Sequence, residues 1–228
     1  MTPYYNDGKG IVIYKGDCNE ILPALPKVSL ILTDPPYGMD FRSNSRTATV
    51  KFNEIKGDDV IDTAWLKPVV DLLVDGGALY LATRWDVWPY WEYAVGELLE
   101  VKNCIVWAKP GGGMGDLTGD YSPEHEFLIY AVKGKHQLRG KRLGNVWTIQ
   151  KDPPATYVHP TQKPVALMLR AIGKSTDAGD LVIDPFMGSG TTLLAAKQAK
   201  RRAIGIEIEE AYCKAAVRRL EQKQVALV

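Results

Sequence analysis

The chain has 228 residues, of which 46% are hydrophobic and 24% are charged, and its formal net charge is +1. This composition supports one well-buried core and excludes a globally disordered protein. The near-zero net charge also excludes a uniformly basic nucleic-acid binder, so any basic surface has to be local.

Short apolar runs alternate with segments of helical periodicity, which predicts a mostly parallel sheet with helices on both faces. The predicted strands are Gly10–Tyr14, Val28–Thr33, Gly77–Ala82, Lys102–Trp107, Glu126–Val132, Asp180–Asp184 and Ala203–Ile208. The predicted helices are Cys18–Leu25, Thr63–Val74, Trp88–Leu99, Pro164–Gly173, Thr191–Lys200 and Glu209–Lys223. Three long segments interrupt the alternation, and such loops are often functional: Gly38–Asp59, Pro110–Gly119 and Lys133–Pro160.

Cysteine usage and the absence of targeting signals indicate the compartment. The three cysteines are far apart and form no Cys-x-x-Cys pair, which argues against a disulfide framework or a zinc site and favours a reducing cytosol. No apolar run in the sequence is long enough to cross a membrane, and Met1–Asp7 lacks the order of a signal peptide. We therefore expect a soluble cytoplasmic protein that needs no metal.

A turn rich in hydrogen-bond acceptors, Asp34-Pro35-Pro36-Tyr37, directly follows the predicted strand Val28–Thr33. Ligands of open α/β sheets bind at the carboxyl ends of strands. Because the prolines lack N–H donors, the Asp34 carboxylate and the Pro35 carbonyl remain as acceptors. Two acceptors can hold both hydrogens of an exocyclic amine on a nucleobase, and the Tyr37 ring can stack on the base, which contributes about 1–3 kcal/mol. The alternative is a proline-rich turn that only ends the strand.

A second turn, residues 184–192 with the sequence DPFMGSGTT, lies between a predicted strand and a predicted helix. Gly188 and Gly190 permit a tight turn and close approach of a ligand to the backbone. Glu207 ends the next predicted strand, at a spacing typical of an acidic residue that binds ribose hydroxyls. No Gly-Lys-Ser/Thr follows, which excludes a phosphate P-loop, and the missing third glycine argues against a dinucleotide. This order favours an adenosine-containing ligand.

The two turns together resemble the amino-methyltransferase family of DNA modification enzymes. Because the Asp34 turn precedes the glycine-rich turn, the chain resembles the permuted β group of that family. Gly16-Asp17-Cys18 matches the position of an acidic contact to the cofactor's adenine. Residues 159–164, with the sequence HPTQKP, resemble the segment that encloses the cofactor's methionine end. The resemblance covers nearly the whole chain.

The resemblance implies an α/β, Rossmann-like class I methyltransferase fold with a seven-stranded, mostly parallel sheet, one antiparallel strand and a circularly permuted motif order. It implies S-adenosyl-L-methionine as cofactor, double-stranded DNA as partner, and a bacterial, archaeal or phage origin. The implied catalytic residues are Asp34, Pro35, Pro36 and Tyr37. The implied cofactor-binding residues are Asp17, Asp34, His159, Thr161, Gln162, Lys163, Asp184, Phe186, Gly188, Ser189, Gly190, Thr191 and Glu207. The alternatives are that Asp17 caps the following helix and that His159 is an ordered loop residue.

The predicted reaction is direct methyl transfer to the exocyclic amine of a base flipped out of the duplex, N6 of adenine. Methylation at C5 of cytosine uses a Pro-Cys thiolate, and none of the three cysteines follows a proline. In the family, Asp at the first position of the turn accompanies adenine and Ser accompanies cytosine, so N4 of cytosine is the alternative. Further alternatives are methylation of RNA or protein, whose turns usually begin with Asn, and an inactive relative that binds DNA or a nucleotide.

Two groups of basic residues are candidates for phosphate contacts, although each could equally be a solvated loop. They are Arg42, Arg46 and Lys51 after the Asp34 turn, and Lys133, Lys135, Arg139, Lys141 and Arg142 after a predicted strand. We expect one catalytic domain over residues 1–228, in which residues 110–160 include a small target-recognition region. Because that region is small, recognition is short, relaxed or supplied by a second subunit of a homodimer. An aromatic run could be an interface or core packing: Trp85, Trp88, Tyr90, Trp91 and Tyr93.

Overall fold

The computed structural model describes residues 1–37, 61–111, 119, 121–153 and 162–222. Within these residues, nine strands form a single sheet. The strands are β1 (Tyr5–Asn6), β2 (Ile11–Lys15), β3 (Val28–Thr33), β4 (Leu73–Thr83), β5 (Glu100–Ala108), β6 (His125–Val132), β7 (Val146–Thr148), β8 (Leu181–Asp184) and β9 (Arg202–Glu207).

The sheet has the strand order β1-β2-β9-β8-β3-β4-β6-β5-β7. Strands β2, β9, β8, β3 and β4 are parallel neighbours, and β6 is antiparallel to both β4 and β5. The seven predicted strands are therefore present with one antiparallel member. The expected total of seven is wrong, since β1 and β7 add two short edge strands. Two or three residues are too few to produce a recognisable alternation of apolar and polar side chains.

All six predicted helical segments contain a helix, although most are shorter than predicted. The helices are α1 (Cys18–Ile21), continued by a 3₁₀ turn (Leu22–Ala24), α2 (Leu66–Leu72), α3 (Trp88–Gly96), α4 (Val165–Ser175), α5 (Thr191–Gln198) and α6 (Glu210–Glu221). Helices α1, α2 and α3 pack on one face of the sheet, and α4, α5 and α6 pack on the other. The result is a three-layer α/β/α arrangement.

The centre of strand β3 is a continuous apolar run, Leu30-Ile31-Leu32. Leu30 and Leu32 pack into the core on the α4–α6 side, whereas Ile31 packs into the core on the α1–α3 side. All three side chains are fully buried. A parallel strand that is covered by helices on both faces has no solvent side, so it carries apolar residues at successive positions.

Strands β8 and β3 are neighbours, but the strands that follow them in the chain lie on opposite sides of this pair. From β8 the chain continues through α5 to β9 on one side, whereas from β3 it continues to β4 on the other side. The carboxyl ends of β8 and β3 therefore flank a topological switch point, which is where open α/β sheets bind ligands. Gly205 in β9 allows close packing here, because a Cβ at that position would lie 2.5 Å from Met187 Sδ and 2.8 Å from Leu193 Cδ1.

Candidate active site

The two turns identified in the sequence meet at the switch point. Thr33 Oγ1, at the end of β3, donates a hydrogen bond of 2.9 Å to Asp184 Oδ1 at the end of β8. The same oxygen accepts a hydrogen bond of 3.1 Å from the backbone N–H of Phe186. Burial raises the pKa of Asp184 to about 6. Segments about 150 residues apart in the chain are thus joined directly, because β3 and β8 are neighbouring strands.

The Asp34 carboxylate is held on both of its oxygens. Its side chain is 20% exposed, and Oδ2 accepts a hydrogen bond of 2.7 Å from Lys163 Nζ. Oδ1 accepts a short hydrogen bond from the hydroxyl of Tyr37, which in turn accepts one of 3.2 Å from Lys163 Nζ. Burial, reinforced by Asp34, raises the pKa of Tyr37 well above its usual range, so the hydroxyl remains a donor. Pro35 is buried and Pro36 is half-buried between these side chains.

Two further charged residues extend this contact into a buried chain of alternating charge. Lys163 Nζ lies 3.1 Å from Glu126 Oε2, and Lys109 Nζ lies 2.8 Å from Glu126 Oε1. The side chains of Lys163 and Lys109 are only 5% and 8% exposed. Burial alone would raise the pKa of Glu126, but Lys163 and Lys109 outweigh it and lower the pKa to about 2. We call Lys109, Glu126, Lys163 and Asp34 the charge chain.

The glycine-rich turn is shaped by two positive φ angles and bound to Glu207. Gly188 has φ of 50° and Gly190 has φ of 78°, and a Cβ at Gly190 would lie 2.8 Å from Ala216 Cβ. Gly188 N donates to Glu207 Oε2 at 3.0 Å, and Glu209 N donates to Glu207 Oε1 at 2.7 Å. Burial raises the pKa of Glu207 to about 7. An acidic side chain therefore lies against the turn, as the sequence predicts.

The glycine-rich turn is also fixed by side chains from two other segments. Ser189 Oγ donates to Gln162 Oε1 at 3.2 Å. Arg219 Nη1, from α6, donates to Ser189 O at 2.8 Å, Ser189 Oγ at 2.9 Å and Thr191 Oγ1 at 3.0 Å. Gln162 thus contacts the glycine-rich turn while its neighbour Lys163 contacts Asp34. One short segment therefore contacts both turns.

Asp17 and Phe186 lie at the same edge of the sheet. Asp17 caps α1, because its side chain accepts a hydrogen bond of 2.8 Å from Asn19 N. The helix-cap interpretation is therefore confirmed, and the cofactor contact of Asp17 stays a prediction. The preceding Gly16 donates from its backbone N–H to Glu207 O at 3.0 Å, which places Asp17 beside the end of β9. The half-buried Phe186 ring packs edge-on against Trp65, with 4.9 Å between ring centroids.

Charged residues decisive for this geometry were not identified from the sequence. They are Lys109, Glu126 and Arg219. Glu126 offers a weak signal, since a charged residue inside a predicted buried strand requires a partner. Lys109 and Arg219 offer none, because each resembles an ordinary solvated lysine or arginine at the end of a strand or in the last turn of a polar helix.

The second basic group lies at the opposite edge of the sheet from Asp34. Strand β6 is antiparallel to β4, so its carboxyl end pairs with the beginning of β4, Val132 with Ala78. Lys133 Nζ there donates to the backbone oxygens of Val70 and Leu73. This placement separates the group from Asp34, and its contact with DNA phosphates stays a prediction. The group also includes Lys135, Arg139, Lys141 and Arg142, of which Arg139 pairs with Asp177 at 3.0 Å.

Several predicted site residues lie outside the described residues. They are His159, Thr161, Arg42, Arg46 and Lys51. Within the described part of the chain, no group of three or more His, Cys, Asp or Glu side chains could hold a metal ion. The same residues contain no helix that is long and apolar enough to cross a membrane.

The aromatic run divides between its two interpretations. Trp91 is fully buried, and Trp88 packs edge-on against Phe127 with 5.5 Å between ring centroids. Tyr90 and Tyr93 on α3 are exposed. Trp85 is 70% exposed and follows the carboxyl end of β4, at the same edge of the sheet as Asp34. Core packing therefore explains only part of the run.

Comparison with known proteins identifies the family. The DNA methylase family that covers N6 and N4 methyltransferases matches residues 28–218. The chain belongs to this family. The DNA methylase is 30% identical to the Type II methyltransferase M2.DpnII of Streptococcus pneumoniae, an alignment that covers 96% of this chain and 92% of that protein. It is 29% identical to the Type II methyltransferase M.HinfI of Haemophilus influenzae, over 92% of this chain and 68% of that protein.

A solved relative confirms the fold of the methylase. The structure of the M1.HpyAVI–SAM complex superimposes with a TM-score of 0.74 at 30% sequence identity. The match covers 93% of this chain and all of the other. The amino-methyltransferase family and the class I fold implied by the sequence resemblance are thus both confirmed, with nine strands instead of seven.

Proposed function

We propose that this methylase transfers a methyl group from S-adenosyl-L-methionine to the exocyclic amine of a base flipped out of double-stranded DNA, N6 of adenine. The hydrogen bond between Thr33 and Asp184 carries the proposal, because it places the Asp34 turn beside the glycine-rich turn. A solved relative bound to S-adenosyl-L-methionine supports the choice of cofactor.

The residues around the glycine-rich turn fit this cofactor by their chemistry. Each carboxylate oxygen of Glu207 accepts one backbone hydrogen bond and retains capacity for another, so ribose hydroxyls can donate to it. The half-buried Phe186 offers an aromatic surface beside Asp184. When bound, the cofactor supplies a sulfonium methyl group that is already activated for transfer.

The Asp34 turn would orient the attacking amine. The Tyr37 hydroxyl takes one of the two acceptor positions of Asp34 Oδ1, so an incoming amine uses the other position or displaces that hydroxyl. Lys163 holds Oδ2 in either case, so the carboxylate keeps one fixed contact. The Tyr37 ring is then free to stack on the base, and the Pro35 carbonyl is the second acceptor for the amine. Acceleration would come mainly from positioning, since no covalent nucleophile is required.

The environments of the cysteines support amine chemistry over attack at C5 of cytosine. Burial raises the pKa of both Cys18 and Cys213 to about 12 and also raises the pKa of Cys104. A C5 mechanism needs a reactive thiolate, which these thiols do not provide at neutral pH.

Adenine is preferred over cytosine because the turn begins with Asp34 where cytosine enzymes of the family have Ser. The two amines place the same demand on Asp34 and Pro35, so N4 of cytosine is the second candidate. Expression in a host without DNA methylation, followed by single-molecule sequencing, identifies the base, its position and the recognition site together.

The matched variants for that experiment are Asp34→Ala and Asp71→Asn. Asp71 lies on α2 and forms an exposed ion pair with Lys67, so its loss leaves the site intact. We expect N6-methyladenine with the wild type and with Asp71→Asn, and none with Asp34→Ala. N4-methylcytosine would select the second candidate. Modification undiminished in Asp34→Ala would refute the role of Asp34, and no modified DNA base from the wild type would indicate an inactive relative.

The remaining parts of the proposal concern organisation and location. We propose a single catalytic domain over residues 1–228, with a small target-recognition region within residues 110–160, working in the cytoplasm. We also propose a homodimer, since α3 exposes Tyr90 and Tyr93 to solvent. Sedimentation analysis of the wild type beside Tyr90→Ser/Tyr93→Ser tests the dimer, which is excluded if the wild type sediments as a monomer with DNA present.

A further inference from the structure

The charge chain contains two residues that neither binding the cofactor nor holding the base explains. Glu126 lies in β6 and Lys109 directly follows β5, on the side of the sheet beyond β4. Both are removed from the glycine-rich turn, which follows β8. Their side chains nevertheless lead through Lys163 to Asp34, with contacts of 2.8 Å, 3.1 Å and 2.7 Å.

Lys163 is placed by three contacts. Its Nζ donates hydrogen bonds to Asp34 Oδ2 and to the Tyr37 hydroxyl, and it forms an ion pair of 3.1 Å with Glu126 Oε2. Lysine has a flexible four-carbon stem, so one contact would not fix its ammonium group. Glu126 supplies the third contact, from β6. It therefore determines where the positive charge lies relative to the catalytic carboxylate.

Lys109 completes the arrangement by helping Lys163 to keep Glu126 ionised. Two carboxylates and two ammonium groups alternate along the charge chain, so its net charge is zero. A buried carboxylate without a cation beside it would tend to take up a proton instead. With Lys109 on Oε1, Glu126 presents a negative Oε2 to Lys163.

We propose that Glu126 is a positioning residue for methyl transfer, which acts through Lys163 to hold Asp34 in the orientation that accepts the amine, with Lys109 supporting it. This inference rests on the proposed function. Lys163 shared between two carboxylates leaves Asp34 a stronger acceptor than it would be as the sole partner of Lys163. Loss of Glu126 would also allow the Lys163 ammonium group to move toward Oδ1 of Asp34, the oxygen that the amine needs.

Four ionisable side chains lie around the Asp34 carboxylate. Tyr37 and Lys163 contact its carboxylate, Glu126 faces it across Lys163, and Asp184 lies beside it at the end of β8. Removing the negative charge of Glu126 leaves Lys163 with Asp34 and Tyr37 as its contacts, so the ammonium group can shift along the carboxylate. Removing Lys163 takes away the contact that holds Oδ2 of Asp34. Both changes should therefore slow methyl transfer more than they weaken cofactor binding.

The experiment measures single-turnover DNA methylation between pH 5 and 9 for the wild type, Glu126→Gln, Lys163→Met, Lys163→Arg and Glu100→Gln. Glu100 forms an exposed pair with Lys102 at the far end of β5 and is the matched control. We expect Glu126→Gln to be about 10- to 100-fold slower at the pH optimum. Lys163→Met should be at least as slow, because it removes the contact to Asp34 itself. Lys163→Arg should recover part of the rate, and Glu100→Gln should match the wild type.

Binding and folding measurements exclude a merely structural role. S-adenosyl-L-methionine should bind Glu126→Gln within about twofold of the wild type, measured by calorimetry together with the unfolding temperature. If Glu126→Gln does not fold, because Lys109 is left buried without its acid, Glu126→Gln/Lys109→Gln removes the pair together and should show the same loss of rate. A rate within twofold of the wild type, or cofactor binding lost in parallel with rate, would overturn the proposal. Failure of the proposed function is recognised separately, by a wild type that methylates no DNA amine or by full activity of Asp34→Ala.

Discussion

Glu207 couples cofactor binding to pH. Its substitution by glutamine should therefore change both the stability of the fold and the affinity for the cofactor in a pH-dependent way. Burial raises its pKa from an ordinary 4.5 to about 7, against hydrogen bonds from Gly188 and Glu209 that favour the ionised form. Each pKa unit corresponds to 1.36 kcal/mol, so ionised Glu207 destabilises the ligand-free fold by about 3 kcal/mol at most. Ribose hydroxyls need the ionised carboxylate as an acceptor. The loss of stability therefore follows from the use of Glu207 to bind the cofactor.

The direction of the pH dependence follows from proton linkage. The folded protein binds a proton at Glu207 that the unfolded chain releases, so this group destabilises the fold progressively as pH rises from 4.5 to 7. Below that window neutral Glu207 resembles glutamine. Above pH 7, Glu207→Gln should therefore be more stable than the wild type by about 1–3 kcal/mol, or about 2–4 °C per kcal/mol. Near pH 4, below that window, the two should be equally stable.

Cofactor affinity of the wild type should rise with pH, whereas its stability falls. Affinity of the wild type for S-adenosyl-L-methionine should fall up to about tenfold for each pH unit below 7, as Glu207 takes up its proton. Glu207→Gln should bind the cofactor weakly and lose this component of the pH dependence. Calorimetric titrations and thermal unfolding at pH 5.5 and 8 measure both effects, with Glu100→Gln as control. A stability difference that does not vary with pH, or a wild-type affinity flat across pH 7, would refute the reasoning.

Substitutions at three further positions test the two turns and the exposed aromatic residue beside the site. Tyr37→Phe keeps the ring but frees Oδ1 of Asp34, so we expect less than a tenfold loss of kcat, whereas Tyr37→Ala should lose up to about 100-fold in kcat/KM because stacking is lost. Gly190→Ala should lower the unfolding free energy by about 1–3 kcal/mol in chemical denaturation, because φ is 78° and the added Cβ meets Ala216. Trp85→Ala removes an exposed ring at the same edge of the sheet as Asp34, so it should weaken DNA binding several-fold in a fluorescence anisotropy titration while leaving cofactor affinity unchanged. Unaltered DNA affinity would show that Trp85 does not contact DNA.

The fold was largely predictable from the sequence because its strands are covered on both faces. A strand such as β3 must be apolar at successive positions, so its ends, Val28 and Thr33, are marked by polar neighbours. The edge strands β1 and β7 are not predicted, because they are too short to show an alternation of apolar and polar side chains. Most helices are predicted to be too long, because the hydrophobic periodicity continues through a 3₁₀ turn such as Leu22–Ala24.

The site was predictable only where the chain itself makes the functional shape. The Asp34 turn and the glycine-rich turn are each contiguous, so proline and glycine chemistry reveals them. Ion pairs across the sheet are not contiguous: 129 residues separate Asp34 from Lys163 in the chain. The basic group around Arg139 illustrates the same limit, since the sequence shows its charge but not that an antiparallel strand places it at the opposite edge.

Lys163 shows how the two halves of the site depend on one another. The sequence resemblance assigns residues 159–164 to the cofactor, yet Lys163 contacts the carboxylate that would hold the base. Its neighbour Gln162 contacts Ser189 of the glycine-rich turn. Because adjacent backbone positions cannot move independently, a shift of the glycine-rich turn on cofactor binding should be transmitted to Asp34. The cofactor pocket and the base pocket therefore share one support, and variants of Gln162 should affect the rate of methyl transfer as well as cofactor affinity.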